Sequence, residues 1–212
     1  MALKAIILDF DGVIVESNAI KHQAFAEIFR DFPGFYRKMM DFHMSHNHMP
    51  RDEKFRYLYQ HFLGEEDCES QVRSLVKRFG ELTRTKIIES SFVCGAMDFI
   101  QYYSKKMPLY IASATPLDEL VIIVQRRGLM KYFKEIFGAP LSKKEIFSRI
   151  RKKENATAKE VLFIGDSRED YEAAAEAGLC FIARPSDTQF KDLAVIKCSD
   201  MNACREYIQS NF

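Results

Sequence analysis

No stretch of this 212-residue chain approaches the roughly 18–20 uninterrupted apolar residues that would span a bilayer. Excess charge of either sign is missing too: 31 Lys and Arg stand against 30 Asp and Glu, a formal net charge of +1. Sequence-independent grip on nucleic acid draws on surplus basic groups, and neither a basic arm nor an acidic tail is present, so nucleic acid is not an expected partner. Cysteine is sparse and unpatterned. Cys68, Cys94, Cys180, Cys198 and Cys204 are odd in number and contain no Cys-x-x-Cys pair. Cys180 sits in the apolar run Leu179-Cys180-Phe181-Ile182 and reads as a buried thiol. The opening apolar run, Ala5-Ile6-Ile7-Leu8, is too short for a signal peptide and is cut off by Asp9. A reducing cytoplasm is the expected setting, and the Asn155-Ala156-Thr157 sequon is then a chance match.

What is present suits a folded enzyme-sized domain. At 47% apolar residues the chain can bury a full core without a disulfide or metal staple, and 29% charged with 13% aromatic residues does not describe a disordered chain. Four short apolar runs, Ala5–Leu8, Leu109–Ala112, Val161–Ile164 and Leu179–Ala183, with a weaker one at Glu135–Phe137, have the length and unbroken apolarity of strands buried on both faces. Helical patterns lie between them at Ala96–Lys105, Leu117–Arg127, Lys143–Lys153 and Ser167–Ala177, the last stopped by Gly178. Strands alternating with helices imply a parallel sheet, hence an α/β fold with a Rossmann-like three-layer α/β/α core. The interval from about Ser17 to Ser90 breaks the alternation. It holds only helical stretches such as Ala19–Phe29, Arg51–Leu63 and Cys68–Arg84, punctuated by Pro33-Gly34 and Met49-Pro50. The expected organisation is a core at 1–16 and 91–212 with an all-helical cap inserted at 17–90.

Chemistry-bearing residues collect where the strands end. The first ends in Asp9-Phe10-Asp11-Gly12-Val13, and carboxylates two apart on an extended chain point the same way. So close a pair resists full ionisation unless a cation sits between its members or one stays protonated. The third run ends in Gly165-Asp166-Ser167-Arg168-Glu169-Asp170. Carboxylates converging from two strand ends make a hard-cation site, for which Mg²⁺ is the natural occupant, while Asp166 alone could equally be a helix cap. The second run ends in Ser113-Ala114-Thr115-Pro116 before a helix, where a hydroxyl and free N–H groups suit a phosphate oxygen or simply cap the helix. After the weak run, Gly138-Ala139-Pro140-Leu141-Ser142-Lys143-Lys144 delivers a lysine beyond the strand.

In order and spacing these four motifs resemble the haloacid dehalogenase superfamily of aspartate-nucleophile phosphohydrolases, in particular its phosphoglycolate-phosphatase and beta-phosphoglucomutase-like branch. The resemblance covers nearly the whole chain. It implies that Asp9 is the nucleophile that becomes an aspartyl phosphate, and that Asp11 protonates the leaving oxygen and then activates water. It implies Mg²⁺ held by Asp9, the Asp11 carbonyl and Asp166, with Asp170, or Glu169 in its place, at the ion or its waters. Ser113 and Lys143, with Gly12 and Ala114, would grip the phosphoryl oxygens, Lys143 being favoured over Lys144. Asp11 separates the chain from halide-removing members, which lack that second aspartate. A cap histidine follows the second aspartate by ten positions in the beta-phosphoglucomutases. Lys21 has that place here and His22 follows it, and one helical position turns a side chain by about 100°. Hydrolysis is therefore expected over mutase chemistry. The remaining alternatives are a phosphomutase and a non-catalytic binding protein of the same fold. The implied partner is a small phosphate ester, with no nucleic acid or membrane, and the chain is expected to be a monomer or weak dimer. Lys21, Arg51 and Lys54 are the cap's candidate substrate contacts, although Arg51 and Lys54 also suit a solvated helix face. His43, His46 and His48 look like a metal cluster but read as surface histidines without a fourth ligand. Phe25, Phe29, Phe55, Tyr59 and Phe62 read as cap core.

Overall fold

The computed structural model describes residues 2–46, 49–185 and 190–212, and the chain forms two compact units, Met1–Ser17 with Ser90–Phe212 and, separately, Asn18–Glu89. In the larger unit six strands make one parallel sheet: β1 (Ala5–Leu8), β2 (Leu109–Pro116), β3 (Glu135–Ala139), β4 (Val161–Gly165), β5 (Cys180–Ala183) and β6 (Ile196–Lys197), in the order β3-β2-β1-β4-β5-β6. Every residue of β1 and β4 is buried, because both strands lie in the middle of a sheet covered on both faces. Ile7 stands level with Tyr110 of β2 and Phe163 of β4. On that face these residues join Ile146, Phe147 and Ile150 of α7 (Lys143–Lys153) and Ala174 of α8 (Arg168–Glu176) in one apolar cluster. The order reverses direction at β1 and β4. In an open parallel sheet that reversal leaves a crevice beyond the carboxyl ends of the strands, and both acidic motifs open onto it.

The smaller unit is helical: α1 (Asn18–Phe29), α2 (Tyr36–Ser45), α3 (Arg51–Leu58) continuing into a π-helical turn at Tyr59–Leu63, and α4 (Glu69–Glu89). Gly64, with φ of 72°, ends the turn in the left-handed region that glycine enters without strain. Phe25, Phe29, Phe55 and Tyr59 form the core with Met39, Phe42 and Phe79, and Phe62 packs against it.

Three elements lack a clear signal in the sequence, and a fourth is longer than expected. β6 has two residues, too few for any pattern. α2 and α9 (Met201–Asn211) were not anticipated, although Asp200 caps α9 by accepting from the N–H groups of Asn202 and Ala203. α4 runs on to Glu89, beyond the expected stretch ending at Arg84. The larger unit also holds α5 (Ala96–Tyr103) and α6 (Leu117–Arg126), the latter packed on β2 and β3.

Candidate active site

Four strand ends bring the expected residues together. Asp9 and Asp11 follow β1, Ser113 and Thr115 lie near the end of β2, Lys143 opens α7 beyond β3, and Asp166 and Asp170 follow β4. The parallel sheet accounts for this, because all its carboxyl ends share one edge. Carboxylate oxygens of Asp9, Asp166 and Asp170 lie within 4.8 Å of one another, and all three residues are buried.

The local sequence explains how each group is aimed. Ser142 caps α7 in a box with Glu145, which places Lys143 in the first turn. Its ammonium pairs with Asp170 Oδ1 and lies 3.4 Å from Asp9 Oδ1, whereas Lys144 pairs with exposed Glu176. Lys143 is therefore the lysine of the site. Ser167, one residue after Asp166, caps α8, and Asp170 completes that box. Asp170 Oδ2 accepts from the backbone N–H groups of Asp166 and Ser167 at 3.1 and 3.2 Å. The capping role open to Asp166 thus falls to Ser167, and Asp170 rather than Glu169 joins the acidic cluster. Gly165 permits the tight turn: a Cβ there would sit 2.5 Å from the Asp170 Cβ.

Asp11 is held differently. Its carboxylate accepts from the Ser17 hydroxyl at 2.5 Å and from the Thr115 hydroxyl at 3.2 Å. Pro116 stands at the cap position of α6 and makes no side-chain capping bond. The Thr115 N–H donates to Ser113 Oγ at 3.1 Å, and Ala114 is exposed beside it. Gly12, expected among the phosphate contacts, is occupied elsewhere. Its N–H donates to the Val15 carbonyl at 2.8 Å, and its carbonyl accepts from Arg184 at 2.9 Å. With φ of 73° it serves the turn, and the N–H of Phe10 is the backbone donor to the Asp9 carboxylate.

The electrostatics set these groups apart. Burial pushes the Asp9 carboxyl up to about 7, with Lys143 opposing and the neighbouring Asp170 and Asp11 adding to the rise. Burial alone would lower the Lys143 ammonium, yet Asp170 and Asp9 outweigh it and hold Lys143 charged far above neutrality. Asp9 Oδ1 is buried without a hydrogen-bond partner among the described residues. A buried carboxylate oxygen left so, amid two more carboxylates, marks a position for a cation. The donors are all hard oxygens, and two such oxygens on opposite sides of one magnesium lie about 4 Å apart. The cluster fits such an ion with little rearrangement.

The expected residues of the helical unit are described within that unit. Lys21 and Arg51 are half-buried, Arg51 with its guanidinium 5.2 Å from the Phe79 ring centroid. Lys54 is not on a solvated face: it is fully buried, with its ammonium 4.7 Å from the Phe25 ring centroid and 2.9 Å from His43 Nδ1. An ammonium only donates, so His43 Nδ1 accepts and its proton sits on Nε2, directed at His22 Nδ1 2.7 Å away. Burial, then Lys54 and His22, press His43 down to about 3, and burial lowers Lys54 to about 8. His43 is thus an interior residue and not a surface histidine. His46 stacks on Phe42, and His48 lies outside the described residues. No histidine belongs to a metal-ligand cluster among the described residues.

Residues 6–184 match the model of the family described as haloacid dehalogenase-like hydrolase. Among curated proteins, the Phosphorylated carbohydrates phosphatase of Thermotoga maritima is 26% identical over 186 residues, covering 84% of this chain and 82% of that protein. Among solved structures, beta-phosphoglucomutase from Clostridium difficile aligns with a TM-score of 0.76 at 17% identity, covering 98% of this chain and 96% of that one. The HAD-hydrolase YfnB from Bacillus subtilis, solved bound to magnesium, aligns with a TM-score of 0.71 at 19% identity, covering 99% and 100%. At such identities the two structures speak for the fold.

The crowding at Gly165 is directly testable. Gly165→Ala must displace Asp170 and should lower stability by about 1–3 kcal/mol, read from urea unfolding. An unchanged midpoint would contradict the close approach.

Proposed function

This chain belongs to the haloacid dehalogenase-like hydrolase family and is an enzyme, and on that footing we propose that it is a Mg²⁺-dependent phosphatase of small phosphorylated metabolites. Asp9 is the nucleophile. Its buried Oδ1, without a hydrogen bond among the described residues and set beside Lys143 and two further carboxylates, is the observation that carries the reading. Attack by this oxygen on phosphorus forms an aspartyl phosphate and splits one difficult displacement into two easier ones. Asp11 donates a proton to the departing oxygen and afterwards takes one from the hydrolytic water, and hydrogen bonds from Ser17 and Thr115 keep its carboxylate in place. Ser113, the Ala114 N–H and Lys143 hold the non-bridging oxygens, Lys143 as a permanent cation.

Magnesium would be held by Asp9 and Asp166, with the Asp11 carbonyl as a further ligand and Asp170 fixing the loop and Lys143 around them. When bound, the ion offsets the repulsion between an anionic nucleophile and an anionic substrate and opposes the charge of the transition state. The larger unit is read as the catalytic core and the helical unit as the cap, with Lys21 and Arg51 its candidate contributors to substrate choice, while Lys54, fully buried on His43, is withdrawn from that role. A sugar phosphate is the favoured substrate, in keeping with the Thermotoga maritima relative, ahead of phosphoglycolate or a nucleotide. Hydrolysis is preferred to the mutase alternative, since the one histidine near the mutase position, His22, meets His43 within its own unit.

Three results are expected. Asp9→Asn should fold normally and lose phosphate release by at least about 10³-fold, because an amide is a poor nucleophile. Release near the unaltered rate would remove Asp9 from the nucleophile role. Magnesium should raise the melting temperature of the unaltered protein, as any ligand of the native state does, and raise it much less in Asp166→Ala. Equal shifts would place the ion elsewhere. The Asp9 carboxyl must ionise to attack, so at low magnesium kcat/KM should climb with pH up to about 7. Saturating magnesium favours the ionised form and should move that acid limb to lower pH; a limb indifferent to magnesium would contradict the shared site.

A further inference from the structure

Arg184 stands just beyond β5 and touches both motif-bearing strand ends. Its backbone N–H donates to the Gly165 carbonyl at 2.8 Å, in the residue before Asp166. Its side chain, 11% exposed, reaches in the other direction: Nη1 donates to the Gly12 carbonyl at 2.9 Å and to Glu16 Oε2 at 3.2 Å, and Nη2 pairs with Glu16 Oε1. Gly12 follows Asp11, and Glu16 precedes Ser17, whose hydroxyl holds the Asp11 carboxylate. One guanidinium therefore ties together the two ends of the segment that carries the acid and its hydroxyl partner.

We propose that Arg184 is a positioning residue for proton transfer, holding the Gly12–Glu16 turn so that Asp11 and Ser17 stay in register. The inference rests on the reading of Asp11 as general acid and base. The opposite side of the turn is braced by backbone bonds, Val93 N–H to Ile14 carbonyl and Glu16 N–H to Ser91 carbonyl, both at 3.0 Å. Within the turn the Gly12 N–H donates to the Val15 carbonyl at 2.8 Å, whereas the Gly12 carbonyl, in a buried residue, has the Arg184 side chain as its partner. Without the guanidinium that carbonyl must find water or shift, and Asp11 moves with it. Glu16 is 45% exposed at its side chain, so the ion pair matters as a splayed two-point geometry more than as an energy. A lysine offers a single ammonium and cannot reproduce that fork.

The test compares two substrates that differ in their need for an acid. In the phosphorylation step, which kcat/KM reports, an alkyl phosphate expels an alkoxide and needs Asp11 as acid, whereas 4-nitrophenyl phosphate expels a stable phenolate and does not; the later hydrolysis of the aspartyl phosphate is common to both. For Arg184→Ala, kcat/KM on the alkyl ester should fall about 10–100-fold while the aryl ester loses less than about 3-fold, general acid catalysis being worth about 10²–10⁴-fold in all. Arg184→Lys should fall between, and melting temperatures are recorded for each variant. Glu16→Ala, at an exposed side chain, should show a smaller loss with the same preference and covers the case in which Arg184→Ala fails to fold. Equal losses on both esters, or none, would overturn the positioning role while leaving the phosphatase reading intact. An unaltered protein that hydrolysed neither ester would overturn both.

Discussion

Like charges crowded into a buried place are the constraint on which this molecule turns. Asp9, Asp11, Asp166 and Asp170 converge, buried, at the carboxyl edge of one sheet, and burial there disfavours the ionised form of Asp9. The chain answers with a permanent cation, Lys143, with backbone N–H groups aimed at Asp170, and with hydroxyls aimed at Asp11. The Asp9 oxygen that has the Lys143 charge nearby at 3.4 Å but no hydrogen bond among the described residues is the one proposed to attack.

The same arrangement gives two neighbouring carboxylates different surroundings, in keeping with the different roles proposed for them. Asp9 lies among charges and is raised by burial, while Asp11 is clasped by two neutral hydroxyls. A group held by hydroxyls can gain and lose a proton without carrying its partners with it, which suits an acid that must later act as a base. Asp170, fully buried and bonded on both oxygens, is suited to neither task and instead serves as the joint between α8, the β4 loop and Lys143.

Much of this was legible in the chain before any coordinates. The acidic motifs, the buried strands and the strand-free interval are local patterns, written over a handful of consecutive residues. The Arg184 clamp is not, because it joins residues 172 positions apart and nothing around Arg184 announces a partner. Ser17 escaped notice for a related reason: a single serine six residues after Asp11 has no meaning until the chain turns back on itself. Gly12 was assigned to phosphate from the motif, whereas its positive φ and engaged N–H give it to the turn. In the helical unit, periodicity correctly located aromatic residues but could not show that Lys54 and His43 point inward with them. A long stem and a neutral imidazole partner let a lysine lie where its charge suggests solvent.

The central claim is that Asp9 itself bonds to phosphorus. The direct measurement is to quench the enzyme in acid during turnover of a sugar phosphate with magnesium, digest it at low pH and weigh the peptides. The account predicts that the peptide containing Asp9 gains the mass of one phosphoryl group, and that the gain vanishes on return to neutral buffer with magnesium. Turnover with that peptide unmodified, or with the phosphoryl group on another residue, would contradict it.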